Sequence, residues 1–509
     1  MSPRGGGGFA TAVPGREHRA SPPGLPGVVA GVRDALDASG VLTDPVDREA
    51  YATPWRGTPG RTPVVVRPAT TAAVAEVVRL ASRHRVRLIP QGANSGLVEA
   101  SVPDRYGHMV VLSLERLRSR LEVDVDDRTV IADAGVRLST LNEALAPHGL
   151  SLPIDLGSDP SLGGMVSTNT GGARMIHHGD LRRHLLGLEV VLAEPPGAVL
   201  DDLGALRKNN TSPKVSDWFI GAAGRFGIVT AVALEVAAID RDRATAFLVP
   251  ADDRAAVTIT AALERALGHR LRAVEAMDAQ ALGLAAGEPG VHNPFGEDAP
   301  PPLTLLVEAA ETDPAPDRSA EEALVRALAE LPGSVLLDAL VVPPGDAWGL
   351  RHRVSEALAR SGTVMGFDLS VRRSRLPELR AELDNDVRPY LPDGASLVEF
   401  GHWGDGGLHA NLVVPHAATG GRPPHPETIA GLRRRIWAVV AGLGGSWASE
   451  HGWGPTNDDA LAAHVHGPTL AGIHHNLDVL PARSGHTAHL CECEAGNAGC
   501  ESRSGRQLE

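Results

Sequence analysis

The pattern of apolar and polar positions divides the chain into two stretches of different texture. From Thr62 the run "TPVVVRPATTAAVAEVVRLASRHRVRLIP" gives a short β segment, a helix with Val74, Val77, Val78 and Ala81 on one face, and a second β segment ending at Pro90. Strand-like runs recur at "HMVVLSL", "RTVIADAG", "LLGLEVVLA" and "FGIVTAVALEVA", with a helix over 138–147. A β-α-β unit followed by separate strands predicts an α+β domain over 58–240. After residue 240 long helices alternate with strands such as "LTLLVEAAET" and "TVMGFDLSV", and a second α+β domain is expected over 241–480. Proline-rich stretches at 294–302 and 413–426 read as surface connectors. Residues 1–57 read as a disordered tail with a lead-in helix, and 481–509 as an irregular tail.

Within the second domain, "GHWGDGGLHANL" (401–412) lies between the apolar flanks "LVEF" and "NLVV" and contains the turn-forming Asp405-Gly406-Gly407. It reads as a hairpin. His402 and His409 then stand opposite each other, with Cβ atoms roughly 5 Å apart. Asn411 shares the face of His409 by the period of two. Two imidazoles so placed can share an ion, but a zinc site normally has three or four protein ligands. A solvated or core-satisfied pair is the plainer alternative.

Composition narrows the task. A chain of 509 residues with 43% hydrophobic content has enough apolar surface for two or three domains. The formal charge of −14 and scattered arginines argue against nucleic acid as a partner. No apolar run is long enough for a transmembrane helix, and the N-terminal tail lacks the apolar core of a signal peptide, so the expected location is cytoplasmic. The cysteines, Cys491, Cys493 and Cys500, sit in the C-terminal tail; their odd number is no disulfide framework.

Two glycine-rich stretches suggest a ligand. "PQGANSGL" (90–97) directly follows a strand, and its small residues let backbone N–H groups converge on an anion. It is neither a lysine-bearing phosphate loop nor a G-x-G-x-x-G fingerprint, and an ordinary tight turn is the alternative. "PIDLGSDPSLGGMVSTNTGGARMIHHGD" (153–180) is long and poor in large apolar groups, and long structureless loops are uncommon without a role. Two such segments suit an extended dinucleotide.

These stretches, with "LRKNNT", "FIGAAGRFGIVTAV", "FGHWGDGGLHANL" and "SEHGWG", occur in an order and spacing that resembles FAD-linked 2-hydroxyacid dehydrogenases of the vanillyl-alcohol-oxidase fold, D-2-hydroxyglutarate dehydrogenases above all. The likeness covers about 40–460. It implies a two-lobed FAD-binding domain followed by an α+β substrate domain. By resemblance the diphosphate is wrapped by Pro90, Gln91, Gly92, Ala93, Asn94, Ser95, Gly96 and Leu97. The rest of the flavin is lined by Pro153, Asp155, Gly157, Ser158, Gly163, Gly164, Ser167, Thr168, Asn169, Gly171, Gly172, His178, Gly179, Gly227, Ile228 and Val229. No histidine or cysteine stands where a covalent link would need one, so FAD is expected to be held non-covalently.

The same resemblance makes His402, His409 and Glu450 the ligands of a divalent metal, commonly zinc, with a position left open for substrate. It makes His451 the general base and assigns substrate anchoring to Arg351, Ser355 and Asn411. The implied reaction is oxidation of a D-2-hydroxy acid to a 2-oxo acid by hydride transfer to flavin N5. The implied partners are a small-molecule 2-hydroxy acid and an electron acceptor the sequence does not identify, with a homodimer as an open option for assembly. Several positions depart from the family pattern. Gly366 replaces a lysine of the dicarboxylate-using relatives, Ala223 and Arg225 replace a glutamate and a threonine, and the closing segment differs throughout. With no cation at Gly366, weaker selection for 2-hydroxyglutarate and a preference for a monocarboxylate are expected. Two rival readings remain at this stage: a flavin-binding relative without dehydrogenase activity, and a flavin-free metal hydrolase.

Overall fold

The run beginning at Thr62 folds as its pattern requires. In the computed structural model, β2 (Val65–Val66) leads into the helix Thr71–His84, started by Thr70, whose side chain accepts from the Ala73 N–H. Arg85 ends it in the left-handed region at φ 55°. The chain returns along β3 (Arg87–Gln91), parallel to β4 (Met109–Ser113), which is itself parallel to β2. Where one lead-in helix is expected, two are present, Leu25–Ala35 and Pro45–Ala52, with β1 (Val41–Leu42) between them and paired antiparallel to β2. Val28 and Val32 of the first helix are buried in the core with Val77 and Val78.

The structure describes residues 23–457 except 212, 292, 297–298, 314–318 and 417–424. The expected C-terminal tail with its three cysteines, and most of the N-terminal tail, lie outside the described residues. Among the described residues no helix is long and apolar enough to cross a membrane.

A second sheet, in the order β5 (Leu121–Asp124), β6 (Thr129–Asp133), β10 (Gly227–Glu235), β8 (Leu185–Leu192), β9 (Val199–Asp202), is antiparallel throughout and shares the first core. β7 (Leu150–Ser151) and β11 (Ala237–Ala238) form a short ribbon beside it.

The C-terminal domain is built on one seven-stranded antiparallel sheet. Its order is β15 (Leu336–Val342), β12 (Asp242–Pro250), β14 (Leu303–Glu311), β13 (Leu271–Asp278), β17 (Ser396–Gly401), β18 (Gly407–Pro415), β16 (Gly362–Ser370). The period of two sorts its faces. Leu408, Ala410, Leu412 and Val414 enter a core closed by the helices Asp253–Leu267, Leu376–Asp386 and Pro426–Gly442. Val398, Phe400 and Val413 face the other way, toward the helix Pro344–Ser361. The connector expected from residue 413 therefore starts later, because Val413 to Pro415 still pair with β16.

The first domain meets this second face through Arg174. Its guanidinium lies 2.6 Å from Asp155, 3.0 Å from the fully buried Glu308 and over the ring of Trp348. Glu308 also accepts from Arg243 at 2.6 Å and from the Trp348 indole at 2.8 Å. Removing one partner of a buried ion pair costs about 3–5 kcal/mol, because the remaining charges stay buried. Glu308→Ala is expected to destabilise the protein by about that amount, read as a lower urea midpoint, through loss of the joint between the domains.

Candidate active site at the domain interface

Three of four neighbouring strands aim polar side chains from one face of the large sheet. β13 places Glu275 there, β18 places His409 and Asn411, and β16 places Asp368. Asp368 is the register partner of His409, and Gly366 that of Asn411. Between them β17 contributes Phe400, the register partner of His409 on the other side. The expected directly opposed pair of His402 and His409 is thus corrected: β17 ends at Gly401, whose φ of 155° turns the chain, and His402 lies in the loop. The two rings still meet, with their Nε2 atoms 3.3 Å apart, because Glu275 accepts from His402 Nδ1 at 2.7 Å and draws the ring back over the sheet.

The segment after the helix Pro426–Gly442 closes over this face. Asp368 accepts the backbone N–H groups of Glu450 and His451, each at 2.8 Å, which fixes the Glu450 carboxylate beside the histidines. Glu450 Oε1 is 3.1 Å from His402 Nε2 and 3.3 Å from His409 Nε2. The His451 ring stacks parallel to that of His409 at 5.4 Å. Its Nδ1 is 3.7 Å from Asp368 and its Nε2 3.8 Å from Glu450. Asp368, His409, Glu450 and His451 can each offer a donor atom, all within 4.8 Å of one another. Among the described residues neither Asp368 Oδ1 nor His409 Nδ1, both buried, has a hydrogen-bond partner, and the two face each other at 3.7 Å. We favour His402 over Asp368 for the donor set, since Asp368 Oδ2 already accepts two backbone N–H groups, whereas the Nε2 atoms of both histidines and Glu450 Oε1 converge within 3.3 Å.

Charge is balanced within the cluster. Burial disfavours a protonated His402, but Glu275 and Glu450 outweigh it and hold its pKa well above the usual imidazole value. Burial likewise opposes ionisation of Glu450, and His402 and His409 reverse this, keeping its carboxyl well below the usual range. Burial lowers His409, which is therefore the neutral ring of the pair. Glu275 has a second cation: Arg351, on the helix Pro344–Ser361, donates to it through Nε at 2.7 Å and Nη2 at 2.6 Å and stacks on Phe400. Arg351 is buried and already neutralised. Ser355 lies one turn farther on the same helix and is half-buried. Asn411 donates to the His409 carbonyl at 3.2 Å.

The glycine-rich loops converge on the same place. Gly171 lies against the Glu450 carboxylate and Gly452 against Thr168, so the loop after Asn169 and the "SEHGWG" segment touch. Their glycines serve different needs. A Cβ on Gly92 would strike Ser161 Oγ, on Gly163 the Ala134 side chain, on Gly172 the Asp155 carbonyl, and on Gly227 the Val190 side chain. Those four are required by protein packing. Among the described residues a Cβ on Gly96 or Gly157 would meet nothing within 4 Å, unlike those four.

Several expected cofactor residues are engaged within the protein. Pro90 and Gln91 end β3, and Gln91 donates to the carbonyls of Tyr51 and Ser101. Asn94, at φ 54°, donates to the Thr53 carbonyl, while Ala93, Ser95 and Leu97 complete that loop. Asp155 pairs with Arg174, and Ser167 and Thr168 bond back to the carbonyls of Gly163 and Gly164 inside the helix Leu162–Thr168. Asn169 caps that helix at φ 51° and binds Asp180. Pro153 and Ser158 lie in the loop before that helix. His178 and Gly179 end the short helix Met175–His178, where burial and His177 lower the His178 pKa to about 3. Gly227, Ile228 and Val229 begin β10, paired to β8.

Glu275 and Asp368, which orient the histidines, were not distinguished by sequence reasoning. Their one signal is a lone carboxylate in an apolar strand, as in "RAVEAMD" and "GFDLS", and Glu308 carries the same signal for a structural task.

The fold has counterparts. Residues 62–200 match the FAD binding domain family and 239–475 the C-terminal domain of FAD linked oxidases. Among solved structures the chain resembles alkyldihydroxyacetonephosphate synthase (TM-score 0.69, 16% identity, covering 92% of this chain and 85% of that one). It also resembles p-cresol methylhydroxylase (TM-score 0.67, 15% identity, 91% and 97%). The architecture is thus that of the vanillyl-alcohol-oxidase type, and the chain is an FAD-linked oxidoreductase. It is 33% identical over 438 residues, 83% of this chain and 75% of the relative, to the mitochondrial D-2-hydroxyglutarate dehydrogenase of Bos taurus. The D-2-hydroxyglutarate dehydrogenase of Xanthomonas citri pv. viticola is 30% identical over 459 residues, 88% and 93%. With likeness at that level across both domains, the chain belongs to the family of FAD-linked 2-hydroxyacid dehydrogenases.

The different roles of the glycines give a test. Gly96→Leu is expected to leave the melting temperature of flavin-stripped protein within about 1 °C, since a typical surface change lies within about 0.5 kcal/mol, and to lower the flavin-to-protein ratio after purification. Gly92→Leu should lower both. Equal flavin content in Gly96→Leu and wild type would remove Gly96 from the cradle.

Proposed function

We propose that the protein oxidises the hydroxyl carbon of a D-2-hydroxy acid to a 2-oxo acid, with FAD bound non-covalently and a divalent metal held by His402, His409 and Glu450. The observation that carries this reading is the convergence of three donor atoms within 3.3 Å at the edge of the glycine-rich loops. The donor set suits the cation: two imidazoles and one carboxylate, with each histidine's other nitrogen turned toward a carboxylate, Glu275 or Asp368. Asp368 Oδ1 and His409 Nδ1, buried without a hydrogen-bond partner among the described residues, stand directly behind this donor set. When bound, FAD supplies the two-electron acceptor for the hydride leaving C2, and the cation supplies Lewis acidity toward the substrate oxygens.

The chain's own residues do the rest. His451 is the base placed to remove the hydroxyl proton: its ring stacks on that of His409, with Nε2 3.8 Å from Glu450. Asp368 holds the Glu450–His451 backbone, so ligand and base keep a fixed relation. His402 and Arg351 together keep Glu275 ionised, and Glu275 accepts from His402 Nδ1, so Nε2 is the nitrogen turned toward Glu450, where a bound cation would take the place of its proton. Gly171 and Gly452 bring the flavin loops within van der Waals contact of this cluster.

Mixing the purified yellow protein with a D-2-hydroxy acid under anaerobic conditions should bleach the flavin band. Chelator treatment should stop the bleaching and leave the oxidised spectrum in place. Glu275→Gln should reduce metal retention roughly ten- to a hundredfold, since it removes the carboxylate behind His402. Wild-type bleaching rates in both His402→Ala and Glu450→Ala would overturn the metal assignment.

A further inference from the structure

Gly366, where a lysine is expected, is the exposed residue in the middle of β16, and its site is not without positive charge. A Cβ built on Gly366 lies 3.2 Å from Asn411 Oδ1 and 3.7 Å from Nη1 of Arg56, a residue of the first domain. Arg56 follows the helix Pro45–Ala52, and the loop that carries it is tied to the flavin loops. Gln91 donates to the Tyr51 carbonyl, Asn94 to the Thr53 carbonyl, and Glu99 accepts the Thr58 N–H at 2.8 Å. Gly57, at φ 117°, leaves room for the Glu99 carboxylate against the backbone.

Among the described residues no hydrogen bond or ion pair engages Arg56, and no carboxylate offsets its burial. Burial alone acts on its guanidinium and lowers its pKa. An arginine held in a partly dry cleft without a counterion is costly unless an anion visits. Arg351, by contrast, is neutralised by Glu275.

The register gives the distance. Gly366 stands two residues from Asp368 on β16, and Asn411 two from His409 on β18. Two residues of strand span about 7 Å, close to the reach of a five-carbon acid lying along the sheet with its hydroxyl end at the histidine cluster. We propose that Arg56 binds the distal carboxylate of a 2-hydroxy dicarboxylate, supplying across the domain interface the charge that Gly366 does not carry. This rests on the 2-hydroxyacid reading above and replaces the expectation of a monocarboxylate preference.

The test compares D-2-hydroxyglutarate with D-2-hydroxyvalerate, which has the same carbon count and a methyl group in place of the far carboxylate. Wild-type protein is expected to favour the diacid. Arg56→Met should lower the diacid-to-monoacid ratio of kcat/KM roughly ten- to a hundredfold, chiefly through KM, as loss of a charge-assisted hydrogen bond does. Arg56→Lys should lose less, and adding Gly366→Lys to Arg56→Met should restore the preference. Titration of the bound flavin's visible absorption with 2-oxoglutarate and 2-oxovalerate should show the same selective weakening without turnover. If Arg56→Met retains no flavin, the Arg56→Lys variant and Gly366→Lys alone still decide the matter, because each should shift the same ratio. An equal loss on both acids, or a wild-type enzyme that does not distinguish them, overturns the Arg56 assignment alone. A wild-type protein that oxidises no D-2-hydroxy acid overturns the functional reading and this inference with it.

Discussion

The site depends on a carboxylate with no access to water. Glu275 lies on a fully buried strand with Arg351 on one side and His402 on the other. A lone carboxylate there would be neutral, since burial raises its pKa. The two cations reverse this and keep it ionised. The consequences run outward: an ionised Glu275 keeps the proton of His402 on Nδ1, draws the ring from its loop onto the sheet, and leaves Nε2 facing Glu450. Removing either flank would leave a buried charge uncompensated. The helix carrying Arg351 is therefore as much a part of the site as the strands are, although it need not touch the reacting carbon.

Sheet register does for His409 what Glu275 does for His402. A central strand paired on both sides cannot slip by one residue without sending His409 and Asn411 into the core and Leu408 and Ala410 into the cleft. Asp368 gains its double role the same way. As register partner of His409 it stands behind that ring, and its other oxygen fixes the backbone of Glu450 and His451.

Much of this was legible in the sequence, for local reasons. Asp405-Gly406-Gly407 between apolar flanks marked the hairpin, and the spacing of Val74, Val77, Val78 and Ala81 marked a helix face that is indeed buried. The exact pairing was not legible, because the turn at Gly401 moves His402 off the strand and no spacing rule anticipates that. Nor was Glu275, which lies 127 residues from the histidine it orients. Isolated acids in apolar strands also serve structure, as Glu308 and Glu399 do with their arginines. In the loops, composition announced a ligand without saying which glycines face it. Only three-dimensional contact separates Gly92 and Gly163, forced by neighbouring atoms, from Gly96 and Gly157, which none of the described residues crowds.

The arrangement also explains why neither domain holds the site alone. The proposed metal ligands and base come from the C-terminal sheet and the segment laid over it, whereas the glycine-rich loops and Arg56 come from the N-terminal domain. Arg174 and the buried Glu308 fix the joint, at a place where Asp155 from the second glycine-rich loop joins the same ion-pair network. A small rotation between domains would therefore move the glycine-rich loops and Arg56 relative to the histidine cluster at once. Tight coupling of this kind suits the proposed hydride transfer, for which donor and acceptor atoms must approach to about 3–3.5 Å. Under the proposed reading it also gives charge on Arg56 a direct effect on substrate orientation, since a far carboxylate held from one domain and a hydroxyl held from the other would leave the reacting carbon little freedom between them.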